Sequence, residues 1–166
     1  MGTQSVRYDY ADTSLGRLIV AWTDAGVCFA ALGDCDEQLL RETQSRLRAP
    51  AITRETDAPW VRAVAGLLED PLRPAEVPLD ICGTKFQQEV WQALRGISPG
   101  QTASYAQIAE SIGRPSATRA VASACGANPV LMLVPCHRVL GSDGSLRGYR
   151  WGVERKRTLL ERESAP

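Results

Sequence analysis

The residues best suited to chemistry are a cysteine and a histidine that follow each other in the chain. Cys136 and His137 lie in the run Pro135-Cys136-His137-Arg138 within an otherwise apolar stretch, and His137 is the only histidine of the sequence. A thiol is a poor nucleophile until a neighbouring cation or base converts it to the thiolate. His137 and Arg138 could both serve that end, and Pro135 would stiffen the backbone that presents the sulfur. The run predicts an activated thiol at Cys136, with hydrolysis, redox chemistry and alkyl transfer all open.

The other cysteines form neither a metal-binding nor a disulfide pattern. The sequence has five cysteines, no CxxC pair and one histidine, so a zinc site of the usual types is not expected. Scattered cysteines without a signal sequence are typical of a reducing compartment, and no apolar stretch has membrane-spanning length. We expect a cytoplasmic protein that uses no metal and no cofactor. Core positions are expected for Cys28, Cys82 and Cys125, and a partly exposed one for Cys35.

The 166-residue chain has no net charge, but its charges are unevenly divided. Residues 1–81 hold 8 Arg against 13 Asp and Glu, a balance of −5, whereas residues 82–166 hold 11 Lys and Arg against 6 Asp and Glu, a balance of +5. Such asymmetry indicates either a basic half that binds a polyanion or two solvated surfaces that differ by chance. The proline-rich stretch 71–78 fits an interdomain connection. We expect an N-terminal domain at 1–78 and a second domain at 79–166.

Sequence patterns in the first half predict a small sheet with helices. Three apolar runs separated by turn-forming residues predict a three-stranded antiparallel meander over residues 6–11, 17–22 and 27–32. Asp34, three residues before Glu37, would cap a helix over 35–48. A short strand at 51–53 and a helix at 59–68 complete the expected α/β unit.

The second half is predicted to be mainly helical. Thr84 with Gln87, and Ser104 with Gln107, have the spacing of capping boxes that open two successive helices. Helices separated by short Gly/Pro turns have the outline of a helix-turn-helix unit. A third helix is expected over 116–125, and a last helix over 153–163.

The third helix has an unusual outer face. At 100° per residue, its apolar residues share one side, and the opposite side carries only small residues and one arginine: Ser116, Arg119, Ala122, Ser123 and Gly126. A solvated face usually carries Lys and Glu, so the small residues indicate close approach to another body. That body could be a DNA groove, with Arg119 projecting into it, or another domain of the protein.

Several separated motifs of the second half resemble one known family. They are Gly83-Thr84-Lys85-Phe86-Gln87, Ser104-Tyr105-Ala106-Gln107-Ile108-Ala109, Arg119-Ala120-Val121, Asn128-Pro129, Pro135-Cys136-His137-Arg138 and Gly148-Tyr149-Arg150-Trp151-Gly152. In this order they resemble the O6-alkylguanine-DNA alkyltransferases, or methylated-DNA–protein-cysteine methyltransferases. The similarity is greatest to the C-terminal alkyltransferase domain of the bacterial adaptive-response protein. It covers residues from about 83 to 163, with a looser match over the first 80.

The resemblance implies a fold and a reaction. The fold would be α/β, with an N-terminal ribonuclease-H-like small sheet domain and a C-terminal winged-helix-like alkyltransferase domain that contains the helix-turn-helix. The reaction would be irreversible transfer of the alkyl group from O6-alkylguanine, and from O4-alkylthymine, in DNA to Cys136. A thioether is not readily hydrolysed, so the protein would act once. The partner would be double-stranded DNA, bound through the minor groove with the nucleotide flipped out, by a monomer.

The resemblance also assigns roles to residues at the reacting centre. Cys136 would be the nucleophile and acceptor, and His137 would take its proton through a water, with Glu163 orienting the imidazole. Glu161 lies close by in the sequence, but spacing in the family favours Glu163. Asn128 would brace the turn near the thiol, and Tyr105 would donate a hydrogen bond to the N3 side of guanine.

Further roles concern DNA and the substrate pocket. Arg119 would fill the gap that the flipped nucleotide leaves, with Ser116, Ala122, Ser123 and Gly126 against the DNA. Arg138 would support the active-site loop. The residues expected to form the substrate pocket are Tyr149, Arg150, Trp151, Cys125 and Val139. The bulky Trp151 would narrow the pocket against O6-benzyl adducts.

Two other functions stay open at this point. A cysteine hydrolase built on Cys136, His137 and Glu163 would turn over, but no oxyanion loop is evident and the helix that bears Arg119 would have no explanation. A binding module that recognises lesions without repairing them is disfavoured, because such proteins replace the acceptor cysteine.

Overall fold

The structure, a computed structural model, describes residues 5–164. The chain divides into two units, one formed by residues up to 81 with 129–131, and the other by residues 82–128 and those from 132 onward. The architecture is mixed α/β, with a small sheet and helices in the first unit and mainly helices in the second. None of the helices within the described part of the chain combines the length and apolar content needed to cross a membrane.

The first unit is built on a four-stranded sheet. Its strands are β1 (Arg7–Thr13), β2 (Gly16–Thr23), β3 (Gly26–Gly33) and β4 (Thr53–Arg54), in the order β3-β2-β1-β4. The first three strands pair antiparallel, which confirms the predicted meander, and β4 joins β1 in parallel. Helices α1 (Asp36–Leu47) and α2 (Pro59–Glu69) pack on the sheet. The buried strands β2 and β3 supply most of the core of this unit.

Two details of the first unit follow from its backbone. The predicted cap of α1 at Asp34 is wrong, because Cys35 occupies the N-cap position and contributes no side-chain hydrogen bond. Gly26 has φ of 152°, and a Cβ there would lie 2.5 Å from the Pro78 carbonyl oxygen. Only glycine allows this approach, through which the Val27 amide donates to that carbonyl at 2.8 Å.

As far as residue 164, the second unit has four α-helices and a two-stranded sheet. They are α3 (Lys85–Arg95), β5 (Ala103–Ser104), α4 (Tyr105–Ser111), α5 (Thr118–Gly126), β6 (Val139–Leu140) and α6 (Val153–Ser164). Both predicted capping boxes are confirmed, at Thr84 for α3 and at Ser104 for α4. Trp91 is buried on α3 and donates from its indole nitrogen to the Ala124 carbonyl of α5 at 2.9 Å. This bond fixes the helix that carries the small-residue face.

Two expectations about local structure need correction. Helix α5 begins at Thr118 rather than at Ser116, because Ala117 is its N-cap and donates its amide to the Arg114 carbonyl in the preceding turn. Cys82 is exposed instead of buried, because it lies in the irregular segment before α3. Cys28 and Cys125 are buried as predicted.

Candidate active site

Cys136 lies in a single 3₁₀ turn, Cys136–Arg138, that leads directly into β6. Parallel pairing of β6 with β5 fixes the exit of this turn. The buried Asn128 fixes its entry, because its amide nitrogen donates to the Val134 carbonyl at 2.8 Å and to the Cys136 sulfur at 3.3 Å. The thiol is thus held in one position by groups on both sides of the turn.

A buried carboxylate joins the two residues that follow the cysteine. The Glu163 carboxylate lies 2.7 Å from Nε2 of His137 and accepts from Nε and Nη2 of Arg138 at 2.8–3.1 Å. Arg138 also donates to the Ile97 carbonyl at 2.6 Å, which ties the turn to the segment that follows α3. Glu161 is exposed, so Glu163 is the carboxylate that meets the imidazole.

The protonation of this group follows from its surroundings. Burial tends to raise the pKa of Glu163, but the hydrogen bonds from His137 and Arg138 outweigh it and leave the pKa below its ordinary value. Burial lowers the pKa of His137, so the imidazole is neutral in the resting protein. With Nε2 donating to the carboxylate, the lone pair is on Nδ1, which can accept a proton.

The thiol itself is a weak acid in this site. Burial raises the pKa of Cys136 to about 11, although the hydrogen bond from Asn128 and the charges of Lys156 and Arg150 act in the opposite direction. Nucleophilic attack at neutral pH therefore requires a base, and the neutral His137, the next residue in the chain, is a candidate.

Lys156 is a residue of the site that the sequence prediction did not include. Its side chain is fully buried on α6, donates to the Val139 carbonyl at 2.7 Å and lies 5.9 Å from the centre of the Tyr105 ring. Burial lowers the pKa of Lys156. Helical spacing could have indicated its burial. Lys156, Leu159 and Glu163 lie three and four residues apart and share the buried face of α6.

A cavity of about 840 Å³ lies beside the thiol. Cys136, Cys125, Tyr105, Tyr149 and Arg150 line it, as do residues that the sequence prediction did not include: Thr118, Gly141, Ser142, Arg147 and Gly148. Burial raises the pKa of Tyr105 to about 12, so its hydroxyl stays protonated and can donate. The cavity wall therefore offers a nucleophile, aromatic faces and hydrogen-bond donors together.

Two residues expected in the pocket lie outside its wall. Trp151 is buried, with its ring in edge contact with Tyr149 at 5.2 Å and beneath the Arg150 guanidinium at 5.5 Å. Val139 is buried at the start of β6. Trp151 contacts the cavity wall through Tyr149 and Arg150, which do line the cavity.

The outer face of α5 is exposed and borders this cavity. Arg119, Ala122 and Gly126 line the cavity, and Ser123 is exposed on the same helix. Ser116 is exposed in the turn before α5 rather than on the helix itself. The arrangement leaves a smooth helix surface with one projecting cation next to the thiol. Within residues 5–164, the side chains do not gather three or more potential metal ligands of the His, Cys, Asp and Glu types.

Comparison with known proteins identifies relatives along the whole chain. A family model described as the 6-O-methylguanine DNA methyltransferase, DNA binding domain, matches residues 85–165. The chain is 50% identical over 163 residues to the bifunctional transcriptional activator/DNA repair enzyme Ada of Escherichia coli strain K12, a match that covers 96% of this chain and 46% of that protein. The chain thus spans a little under half the length of that relative. It is 46% identical over 170 residues to a methylated-DNA–protein-cysteine methyltransferase of Mycolicibacterium paratuberculosis, which covers 97% of this chain and 95% of that protein.

The fold is similar to a solved structure as well. The crystal structure of Mycobacterium tuberculosis OGT in complex with DNA aligns with a TM-score of 0.80 and 36% sequence identity. The alignment covers 95% of this chain and 92% of that one, so the similarity extends over both units.

Proposed function

The chain belongs to the methylated-DNA–protein-cysteine methyltransferase family, and on that premise we propose that it repairs O6-alkylguanine in DNA by transferring the alkyl group to its own Cys136. One observation carries the proposal. The thiol of Cys136 lines a cavity large enough for a nucleobase, beside the exposed face of α5 and with the buried His137–Glu163 pair next to it in the chain. A repair protein needs these three features together.

The reaction follows from the positions of these groups. The Cys136 thiol loses its proton, through a water, to Nδ1 of His137, and Glu163 stabilises the imidazolium that forms. The thiolate attacks the alkyl carbon, the C–S bond forms as the C–O6 bond breaks, and guanine leaves with the electron pair. Tyr105, whose hydroxyl stays protonated, donates a hydrogen bond to the leaving base and so makes it a better leaving group. The product is a thioether, which does not hydrolyse, so each molecule acts once.

The partner is double-stranded DNA. Small residues on the outer face of α5 allow the helix to approach the minor groove closely, and Arg119 occupies the gap that the flipped nucleotide leaves. O4-alkylthymine presents a comparable alkyl-oxygen bond and is a second substrate. Arg138 and Asn128 hold the loop and the turn in place during the reaction.

The finer description of the fold belongs to the same proposal. The order β3-β2-β1-β4, with three antiparallel strands and a parallel fourth, supports a ribonuclease-H-like domain over residues 1–78. The successive helices α4 and α5 with the β5–β6 pair support a winged-helix-like domain over 79–166. The expectation of a monomer stays a prediction.

The test is incubation with duplex DNA that contains radiolabelled O6-methylguanine. We expect one label per protein molecule, located on Cys136, and no transfer by the Cys136→Ala variant. Release of several products per molecule would favour a hydrolase. Tight lesion binding without transfer would favour a recognition module.

A further inference from the structure

Three of the four buried polar side-chain atoms that lack a partner within residues 5–164 belong to the unit that contains Cys136. Within residues 5–164, four buried side-chain nitrogen or oxygen atoms have no hydrogen-bond partner in the protein: Arg7 Nε, His137 Nδ1, Tyr149 Oη and Trp151 Nε1. The last three belong to the second unit, on two short segments. A buried polar group without a partner costs about 1–3 kcal/mol, so such groups normally bond to ordered water.

The position of Tyr149 distinguishes it from a simple cavity wall. Its ring lines the cavity, but its hydroxyl is buried, so a base in the cavity would contact the ring and not the hydroxyl. Tyr149 and Cys136 line the same cavity, and the Tyr149 hydroxyl is buried there without a partner in the protein. The charges of Cys136 and Glu163 both act on the pKa of this hydroxyl.

We propose that the Tyr149 hydroxyl holds the water that carries the Cys136 proton to Nδ1 of His137. A buried water requires two to four polar partners. Tyr149 Oη and His137 Nδ1 are both buried without a partner in the protein, and with Cys136 Sγ they would provide three. The inference rests on the proposed function, because a relay matters only if the thiol must ionise. It adds the group that fixes the relay water.

The proton count in this step is balanced. The thiol donates its proton to the water, the water donates one of its own to Nδ1, and a thiolate and an imidazolium result, with Glu163 accepting from Nε2. Burial, together with the charges of Cys136 and Glu163, raises the pKa of Tyr149 well above its ordinary value, so the hydroxyl keeps its proton and donates to the water throughout. The Trp151 indole can only donate and cannot relay the proton. Tyr149 is thus a positioning residue that acts through the water and His137.

The experiment uses Tyr149→Phe in the full chain, which removes the hydroxyl and keeps the ring. Two rates are measured over pH 6–10: alkylation of Cys136 by iodoacetamide, read from the Cys136 peptide by mass spectrometry, and single-turnover transfer from O6-methylguanine duplex. We expect both rates to fall about tenfold near pH 7, which is a part of what general base catalysis contributes. The difference between the variant and the wild type should shrink at higher pH, because hydroxide then removes the thiol proton instead of the relay. This variant leaves unchanged the other groups that lower the pKa of Cys136, which are Lys156, Arg150 and Asn128.

A double-mutant cycle separates the relay from packing. In a His137→Gln background the relay is already lost, so Tyr149→Phe should have no further effect, whereas a packing role would add to the loss. Tyr10→Phe, which deletes a tyrosine hydroxyl bonded to the Asp36 carbonyl in the first unit, is the matched control and should react like the wild type. Equal melting temperatures would show that the fold is intact.

The outcomes are distinct. Superimposable pH profiles, a loss that is equal at every pH, or additive effects with His137→Gln would each overturn the role of Tyr149. Failure of the wild type to transfer from DNA would instead overturn the proposed function, and the iodoacetamide rates would still report on the relay.

Discussion

At the scale of single residues, the reactivity of Cys136 is set by its neighbours. With a pKa of about 11, roughly one thiol in ten thousand is ionised at pH 7 without help. The base His137 acts on the proton, while Lys156 and Arg150 favour the thiolate by their charge. The buried lysine is the less expected of these cations, because its charge is costly to bury unless it is used.

Replacement of Lys156 tests its electrostatic role. Lys156→Met fills similar space without the charge, so the pKa of Cys136 should rise, and one unit of rise lowers the thiolate fraction about tenfold. The pH dependence of Cys136 alkylation by iodoacetamide measures this directly. Arg157→Gln removes an exposed cation next to it in the sequence and should leave the profile in place. A Lys156→Met profile equal to that of the wild type would contradict the role.

Glu163 is predicted to stabilise the fold as well as to orient His137. Glu163→Gln leaves the buried Arg138 without its carboxylate, and breaking a buried pair in this way costs about 3–5 kcal/mol. Urea unfolding and single-turnover transfer should both show a large loss. Glu161→Gln changes an exposed carboxylate two residues away and is the matched control, with stability and transfer unchanged.

The pairing of Glu163 with Arg138 and His137 also predicts that the free energy of unfolding decreases in acid. Because the pKa of Glu163 is lowered in the folded protein, its contribution is complete above the ordinary carboxyl pKa and is lost as the pH falls through the lower, folded value. In Glu163→Gln this part of the pH dependence should disappear. If unfolding of the two proteins responds identically to acid, Glu163 does not contribute the expected linkage.

Individual residues also show how far sequence reasoning reaches. Cys136 and His137 are adjacent in the chain, so their motif was sufficient to find them. Glu163 could be chosen over Glu161 only by resemblance, and its burial next to His137 is consistent with that choice. Lys156 was missed because a lysine in a charged helix is normally solvated. Trp151, which was expected in the pocket, is buried in edge contact with Tyr149 and is not among the residues that line the cavity.

At the scale of elements, the sequence predicted helix starts correctly where a side chain bonds to the first amides of its own helix. The capping boxes at Thr84 and Ser104 satisfy helix amides that have no other partner, so the sequence pattern alone located both helices. Asp34 had a similar pattern, but Cys35 is the N-cap of α1 and makes no side-chain cap hydrogen bond. The start of α5 shifted to Thr118 for a comparable reason, since the preceding turn uses the Ala117 amide.

Replacement of Arg119 on α5 is expected to weaken the repair of duplex DNA without slowing the transfer step itself. Arg119→Ala should weaken repair of duplex O6-methylguanine about tenfold, because the flipped nucleotide is no longer replaced in the stack, while reaction with the free base stays close to the wild-type rate. Rates with the two substrates, measured side by side, give the ratio. Arg119→Lys keeps a cation and should recover part of the duplex activity. Equal losses on both substrates would contradict the proposed role of this arginine.

At the scale of the whole molecule, the chain has no net charge, but its positive charges are concentrated in the second half. The second half carries the surplus of +5, and the exposed residues that line the cavity include Arg119 and Arg147. The acidic first half reduces non-specific attraction to nucleic acid. For the proposed repair function, weak binding to each undamaged site is an advantage.

The salt dependence of DNA binding tests this charge distribution. With two or three phosphate contacts, the slope of log K against log salt should be about −2 to −3, since each contact contributes about −0.9. Fluorescence anisotropy of a labelled duplex, titrated with KCl, measures the slope. Arg147→Gln should make the slope less steep by about one, because the Arg147 guanidinium is exposed and only weakly paired with Asp143, at 3.9 Å. Arg62→Gln removes a cation of the first unit, which donates to the Asp57 carbonyl, and should leave the slope as it is. A slope near zero, or one that Arg62→Gln changes and Arg147→Gln does not, would show that DNA is held by a different surface.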